Sequence, residues 1–180
     1  EDKSGYYNPD SREILSKVNI KELYDVKFLI KSELDTVIMI DRYNAIQRGV
    51  HAEEIANKVL KGTITRSVGY DLTIPKYKVE VRSRCQNTDG PIPRATVTKT
   101  KMHLSDFIVF IQYKDNIEKS IDIGVILHTK SLMALYKNYL QKNGSTAHIP
   151  LKKILKLSHI DMTSRLIIAD NNFKESGLYL

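Results

Sequence analysis

The chain has 180 residues, of which 42% are hydrophobic and 27% are charged, and this suits one globular domain with at most a small appendage. Its apolar runs are too short to span a bilayer, no signal-like segment opens it, and its single cysteine cannot form an internal disulfide, so we expect a cytoplasmic protein that contacts no membrane. The formal net charge of +7 favours an anionic partner, and nucleic acid is the most common such partner for a soluble domain.

The first third of the chain has mainly helical patterns. The pattern over residues 19–49 indicates a helix in two pieces that ends at Gly49, although the β-rich run at residues 37–40 leaves a strand open there. The segment "VHAEEIANKVLKG" has an apolar stripe of helical spacing and ends at Gly62. We therefore predict an N-terminal helical extension over residues 1–48 and an α/β domain over residues 49–180, together forming one compact unit.

Strand patterns follow. The segments "GYDLTI" and "YKVEVRS" flank Pro75 and Lys76, which predicts a hairpin-like turn. The segment "TVTKTKMHLS" fits a short helix or an amphipathic strand, and "DFIVFIQY" and "IDIGVILHT" are typical of strands buried on both faces.

The chain then returns to helical patterns. We predict a helix in "SLMALYKNYLQKNG", with Ser131 as its N-cap and Gly144 just past its end, and another in "MTSRLIIADNNF". This order of elements predicts an α/β domain in which helices flank a central sheet.

Two carboxylates stand out in the first pair of strands. Because side chains alternate along a strand, one face of "YKVEVRSR" carries Lys78, Glu80, Arg82 and Arg84, and the other carries Tyr77, Val79, Val81 and Ser83. We expect the apolar face to join the core and the face with Glu80 to line a cleft. If the strands pair, Asp71 and Glu80 converge, and Mg²⁺ can relieve their repulsion because it binds one or two carboxylates together with water and phosphate.

These residues resemble a known pattern. "GYD", eight intervening residues and then "EVR" resemble the core motif of the PD-(D/E)xK nuclease superfamily, and "AEEIANKVLKG" and "SDFIVFIQ" resemble its first helix and the buried strand after the motif. The resemblance covers about residues 50–130. It implies a restriction-endonuclease-like core with a central mixed sheet, Mg²⁺- or Mn²⁺-dependent cleavage of DNA, a restriction-type role and a homodimer.

The resemblance also implies site residues. Asp71 and Glu80 would hold the metal, and Glu53 would join them because it flanks the apolar stripe of its helix, with Glu54 as the alternative. Arg82 stands where the motif has lysine; it can stabilise phosphate charge but is a poor general base. Lys78 is a second candidate for that role. A chain that keeps the fold and binds DNA without cutting it remains an alternative, as does a basic structural domain.

The segment "RSRCQNTDGPIPRATVTKTK" could be a flexible basic loop that grips the DNA backbone, or a solvated surface loop with no such role. Alternating threonines in this segment, Thr96, Thr98 and Thr100, could add phosphate contacts. Glu80 and Arg82 could instead form cross-strand salt bridges on a solvated sheet face. The expected DNA-binding residues are Lys78, Arg84, Arg94, Lys99 and Lys101.

Overall fold

The computed structural model describes residue 34 and residues 44–86, 94–115, 119–142 and 144–175. The chain divides into two units, Glu1–Tyr43 and Asn44–Leu180, and the description below concerns the second. The expectations for residues 19–43, including the strand left open at residues 37–40, therefore lie outside the described residues.

The first described helix, α1, covers residues 44–60. It runs through Gly49 without interruption, so the prediction that a helix ends there was wrong. Glycine in a helix costs only about 1 kcal/mol relative to alanine. This cost is offset by the burial of Ala52, Ile55 and Ala56 against the sheet.

Three antiparallel strands follow α1: β1 (Thr63–Ser67), β2 (Tyr70–Ile74) and β3 (Tyr77–Cys85). The predicted turn between β2 and β3 is confirmed, and Ile74 pairs with Tyr77 across it. Strand β1 was not predicted, although its alternating Thr and Ile residues after Gly62 carry the signal. Gly62 lets β1 start close to β2, because a Cβ there would lie 2.6 Å from the carbonyl oxygen of Thr73.

The middle of the chain makes the sheet a mixed one. After β4 (Arg94–Thr98) and helix α2 (Lys99–Leu104), β5 (Phe107–Tyr113) runs parallel to β3, and β6 (Ile121–His128) runs antiparallel to β5. Both alternatives for "TVTKTKMHLS" therefore occur in succession, since this segment contains the end of β4 and all of α2. The strand assignments of β5 and β6 are confirmed.

The last elements are α3 (Thr129–Asn138), β7 (Thr146–Pro150), α4 (Leu151–Ile154), β8 (Ile160–Asp161) and α5 (Thr163–Glu175). The predicted cap of α3 was wrong: His128 is the N-cap, and its Nδ1 accepts a hydrogen bond from the backbone N–H of Lys130 at 3.1 Å. Gly144 does not follow α3 directly but lies in the turn before β7, with φ of +70°. The final helix, α5, is confirmed.

The strand order in the main sheet is β1-β2-β3-β5-β6-β8, and β4 pairs with β7 in a separate small sheet. Helices α1 and α5 cover one face of the main sheet, here called the helix face, where α1 residues and Leu166 meet Val79, Val81 and Val109. The small sheet with α2, α3 and α4 covers the opposite face, here called the small-sheet face, which buries Ile108 and Phe110. The expected α/β domain with a central mixed sheet flanked by helices is confirmed. No helix in the described part of the chain is long and apolar enough to cross a membrane.

Candidate active site

Asp71 and Glu80 lie on neighbouring antiparallel strands. Leu72 of β2 pairs with Val79 of β3, and one further step along this register places Asp71 opposite Glu80 on the small-sheet face. Asp71 Oδ2 also accepts a hydrogen bond of 2.9 Å from the backbone N–H of Val81, which fixes the carboxylate against β3. The pairing of the two strands thus brings together the two carboxylates selected from the sequence.

A lysine from α2 joins these carboxylates. Lys101 Nζ lies 2.7 Å from Glu80 Oε2 and 3.7 Å from Asp71 Oδ1. Lys101 was expected in a flexible DNA-binding loop, whereas it lies in the helix after β4 with its ammonium group directed at the acidic pair. Its role could not be read from spacing, because only the tertiary packing of α2 on β3 sets the contact.

Glu80 also forms an ion pair with Arg82, in addition to the one with Lys101. Arg82 Nε lies 3.0 Å from Glu80 Oε1, and the two residues sit two positions apart on the same face of β3. The expected salt bridge therefore exists, but within one strand and not on a solvated face. Arg82 is partly exposed, whereas the Glu80 side chain has 0% exposure.

The expectation that Glu80 lines an open cleft was wrong, because the small sheet and α2 cover its face of the main sheet. Burial raises the pKa of Glu80 to about 7, and the nearby charge of Asp71 adds to this increase. Arg82 and Lys101 oppose the increase, since both favour the charged form. Glu80 is therefore a carboxyl group that exchanges its proton near neutral pH.

Glu53 lies apart from this pair. Its Oε2 is 2.8 Å from Nε of Arg66 on β1, and this contact raises the pKa of Arg66 above its usual value. The reason is the position of α1, which packs on the helix face while Glu80 points to the small-sheet face. Among the described residues, no group of three or more His, Cys, Asp or Glu side chains could hold a metal ion. The structure thus brings together two of the three predicted ligands.

The predicted DNA-binding residues are dispersed over several elements. Lys78 is exposed at the start of β3, and Arg94 and Lys99 are exposed at the first positions of β4 and α2. Arg84 is buried and donates a hydrogen bond of 3.0 Å from Nη1 to the carbonyl oxygen of Arg94. The segment expected to be a flexible loop, residues 82–101, instead contains the end of β3, all of β4 and the start of α2, and its residues 87–93 lie outside the described residues.

The buried His51 is held by hydrogen bonds that join three elements of the fold. His51 on α1 hydrogen-bonds through Nδ1 to the hydroxyl of Tyr113 at 2.8 Å and through Nε2 to Asp170 Oδ1 at 3.0 Å. Lys174 Nζ lies 2.9 Å from the other oxygen of Asp170. Burial lowers the pKa of His51 to about 4, against the opposing effect of Asp170. The imidazole is therefore neutral at physiological pH and links α1 to β5 and α5.

Comparisons with known proteins add no relative to this description. No protein-family model matches the chain, and a search of curated proteins found no significant match. The arrangement of Asp71, Glu80, Lys101 and Arg82 is therefore the basis for inferring a function.

Proposed function

We propose that this chain is a metal-dependent endonuclease that hydrolyses DNA phosphodiester bonds, with Asp71 and Glu80 as the ligands of a Mg²⁺ or Mn²⁺ ion. The observation that carries the proposal is the convergence of both carboxylates on the single ammonium group of Lys101. Two carboxylates held by adjacent strands within reach of one cation provide the oxygen donors that Mg²⁺ uses in phosphate-processing sites.

The donor chemistry fits such an ion, although access requires a movement. Mg²⁺ commonly binds one or two carboxylates and completes its shell with water and substrate oxygens, so Asp71 and Glu80 suffice without Glu53. Lys101 Nζ occupies the space beside both carboxylates, so its side chain must withdraw for the ion to enter. The bound ion would polarise the phosphodiester and lower the pKa of a water molecule.

Lys101 and Arg82 are the cationic residues of the proposed site. Both contact Glu80, and either side chain can place positive charge next to the phosphate as negative charge develops on its oxygens. We assign the role of the motif lysine to Lys101 and not to Arg82, because an ammonium group can donate and recover a proton whereas a guanidinium keeps its proton. Arg82, which is partly exposed, would then hold the phosphate.

The wider role follows from the family resemblance. A restriction-type enzyme acting on DNA in the cytoplasm, with a restriction-endonuclease-like core, is the expectation that accompanies the motif. Cleavage of both strands by such an enzyme uses two sites, which leads us to propose that the active species is a homodimer.

A second candidate function is supported by one feature of the same site. Both oxygens of Glu80 already contact cationic side chains, and the side chain has no exposed surface. A carboxylate neutralised in this way can be a structural remnant of a catalytic site. The alternative is therefore a DNA-binding module that retains the fold and no longer cuts.

The test is a plasmid-cleavage assay with Mg²⁺ or Mn²⁺ on the wild-type chain and on Asp71→Asn and Glu80→Gln. Glu80→Gln keeps the volume of the side chain and a hydrogen-bond acceptor for Lys101, so we expect it to fold. Cleavage should fall at least about 100-fold in both variants, because each loses an electrostatic contribution to the site. DNA binding measured in EDTA should change little.

Glu175→Gln is the matched control, since it makes the same chemical change on an exposed residue at the end of α5. Its cleavage rate should equal that of the wild type. Salt-dependent DNA binding by a wild-type chain that never cuts would favour the non-catalytic module. A wild-type chain with no salt-dependent DNA affinity would contradict both candidates and leave the basic structural domain.

A further inference from the structure

A cavity opens between the small-sheet face and the small sheet, beside Arg82. Its volume is about 500 Å³, which lies within the roughly 300–1,000 Å³ of small-molecule sites. Strands β3, β5 and β6 form one side of it, and β4, β7 and α4 form the other. The lining includes four arginines, Arg48, Arg82, Arg84 and Arg94, together with Gln112 and His148.

The charge of this cavity favours an anion. The four arginines come from α1, β3 and β4, and the described lining residues include no Asp or Glu. Two of the described acidic residues contact the lining from outside it: Glu80 through Arg82 and Asp122 through Gln112. Positive charge concentrated in a concave, partly apolar site raises the local concentration of anions. Guanidinium groups also match the geometry of phosphate oxygens, which they bind in pairs of hydrogen bonds.

Gln112 adds a requirement for a ligand that can donate a hydrogen bond. Its side chain is 3% exposed, and its Nε2 donates a hydrogen bond of 2.7 Å to Asp122 Oδ2. Its Oε1 is buried and has no hydrogen-bond partner. Because Nε2 donates to Asp122, a flip of the Gln112 amide group would break that hydrogen bond. The cavity therefore presents an acceptor that a ligand could satisfy with an N–H or O–H group.

The remaining wall is mixed, since Ser83 and Thr96 line it beside several apolar side chains. Phe110, Ile123 and Leu151 line the cavity together with the arginines and Gln112. A ligand that matches all three chemistries carries a phosphate, a polar group with a hydrogen to donate and a flat or apolar body. Inorganic phosphate matches only the first of these fully and is small for the volume.

We propose that this cavity binds one nucleotide unit, with its phosphate on the arginines and a base or sugar donor on Gln112. The unit has two sources, a free mononucleotide or the phosphorylated end of a nucleic-acid strand. This binding does not depend on the proposed cleavage, because Asp71 and Glu80 are not part of the lining. Arg82 is the one residue that belongs to both sites.

The experiment is titration calorimetry of the full chain in EDTA at low salt. The probes are the four deoxynucleoside 5′-monophosphates, inorganic phosphate, and one trinucleotide with either a 5′-phosphate or a 5′-hydroxyl. The variant is Arg94→Gln, which removes the charge of an exposed residue at the rim. Its control is Arg165→Gln, the same change on an exposed residue of α5 that does not line the cavity.

We expect at least one mononucleotide or the 5′-phosphorylated trinucleotide to bind more tightly than inorganic phosphate. Arg94→Gln should weaken that binding at least tenfold, whereas Arg165→Gln should change it less than twofold. Preference for the free nucleotide identifies the first source, and preference for the 5′-phosphate over the 5′-hydroxyl trinucleotide identifies the second.

A further variant tests the acceptor. Gln112→Met keeps an unbranched side chain of similar size, and it should lower the affinity for the nucleotide while leaving that for inorganic phosphate unchanged. The proposal is overturned if inorganic phosphate binds as tightly as every nucleotide probe, if no probe binds, or if the two arginine variants lose affinity equally. Failure of DNA cleavage in the plasmid assay would leave these expectations unaltered.

Discussion

The helix face and the small-sheet face of the central sheet bury side chains of different chemistry. On the helix face, residues such as Val79, Val81 and Val109 pack against apolar residues of α1 and α5. On the small-sheet face, the alternate positions of the same strands bury Glu80 and Gln112 beside Ile108 and Phe110. One strand, β3, thus supplies the core on one side and an ionic cluster on the other.

The largely apolar helix face stabilises the fold, whereas the small-sheet face holds polar groups that the fold positions. Buried ion pairs contribute little net stability, since desolvation offsets most of the attraction between the charges. Replacement of a buried ion pair by apolar residues of similar volume is often neutral or stabilising. The small-sheet face therefore keeps polar groups at a cost, which is the pattern expected of a functional site. Four predictions test this division.

The largest effect is expected on the helix face. Leu166→Ala should lower the free energy of unfolding by about 2–5 kcal/mol, because Leu166 is fully buried and lies directly on Gly124 of β6. Urea denaturation at pH 7 measures it. Ile168→Ala on the same helix is the control, since Ile168 is largely exposed and should change stability by less than about 0.5 kcal/mol. Equal losses in the two variants would show that α5 is not packed as described.

The second effect concerns His51, which with Asp170 forms a buried polar pair on the helix face. Its pKa in the folded protein is about 4, below the ordinary value of 6.5, so the unfolded chain binds the proton more readily. Stability due to this group is complete above pH 6.5 and is lost as the pH falls toward 4, by about 3 kcal/mol in total.

The measurement is the free energy of unfolding at pH 7 and pH 4.5 for the wild type and for His51→Gln. The glutamine variant keeps a polar side chain beside Tyr113 and Asp170 but does not titrate, so it should lose much less stability on acidification. An identical decrease in both proteins would rule out His51 as the source.

The third effect belongs to the small-sheet face. Lys101→Met removes the closest cation from Glu80, so the pKa of Glu80 should rise further above its value of about 7. A raised folded-state pKa stabilises the protein at low pH, and that contribution is lost as the pH rises through it. The variant should therefore be destabilised more at pH 8 than at pH 6, by about 1.4 kcal/mol for a pKa increase of one unit.

The double variant Lys101→Met/Glu80→Gln is the control, because it has no carboxyl group left to titrate at this position. Its destabilisation relative to Glu80→Gln should be the same at pH 6 and pH 8. If the single variant shows no pH dependence, the contact between Lys101 and Glu80 does not govern the ionisation of Glu80.

The smallest effect concerns backbone strain in a turn that belongs to neither face of the sheet. Lys76 has φ of 73° in the turn between β2 and β3, a conformation that glycine adopts more easily. Lys76→Gly should raise stability by up to about 1 kcal/mol, as measured by thermal denaturation. Lys137→Gly within α3 should have the opposite sign and lower stability by about 0.5–1 kcal/mol. A loss of stability in Lys76→Gly would contradict the described turn.

Much of this architecture could be predicted because local patterns carry it. Alternation along β3 separated Val79 and Val81 from Glu80, and the Pro75–Lys76 turn placed β2 beside β3, which aligned Asp71 with Glu80. The fully apolar runs identified β5 and β6 as strands covered on both faces. These features need only the periodicity of a strand and the chemistry of a turn.

The parts that escaped prediction depend on tertiary contacts. Glycine has a low helix propensity, which is why a helix end was predicted at Gly49. The packing of α1 against the sheet nevertheless keeps the helix continuous. The pairing of β4 with β7 joins segments about 50 residues apart, as in the pair Thr96 and His148. Because this small sheet was not foreseen, Glu80 was expected to line a cleft and Lys101 was assigned to a loop. Their contact exists only when the small sheet covers β3.

The two edges of the main sheet, β1 and β8, limit how the protein can associate. Strand β1 has an irregular register between Ile64 and Ser67, and Arg66 within it has φ of 45°, so its outer hydrogen-bonding groups do not form a straight row. Strand β8 has two residues. Irregular or very short edges resist strand-to-strand addition and the aggregation that follows from it. Any homodimer is therefore expected to form through side-chain surfaces, with each copy keeping its own sheet.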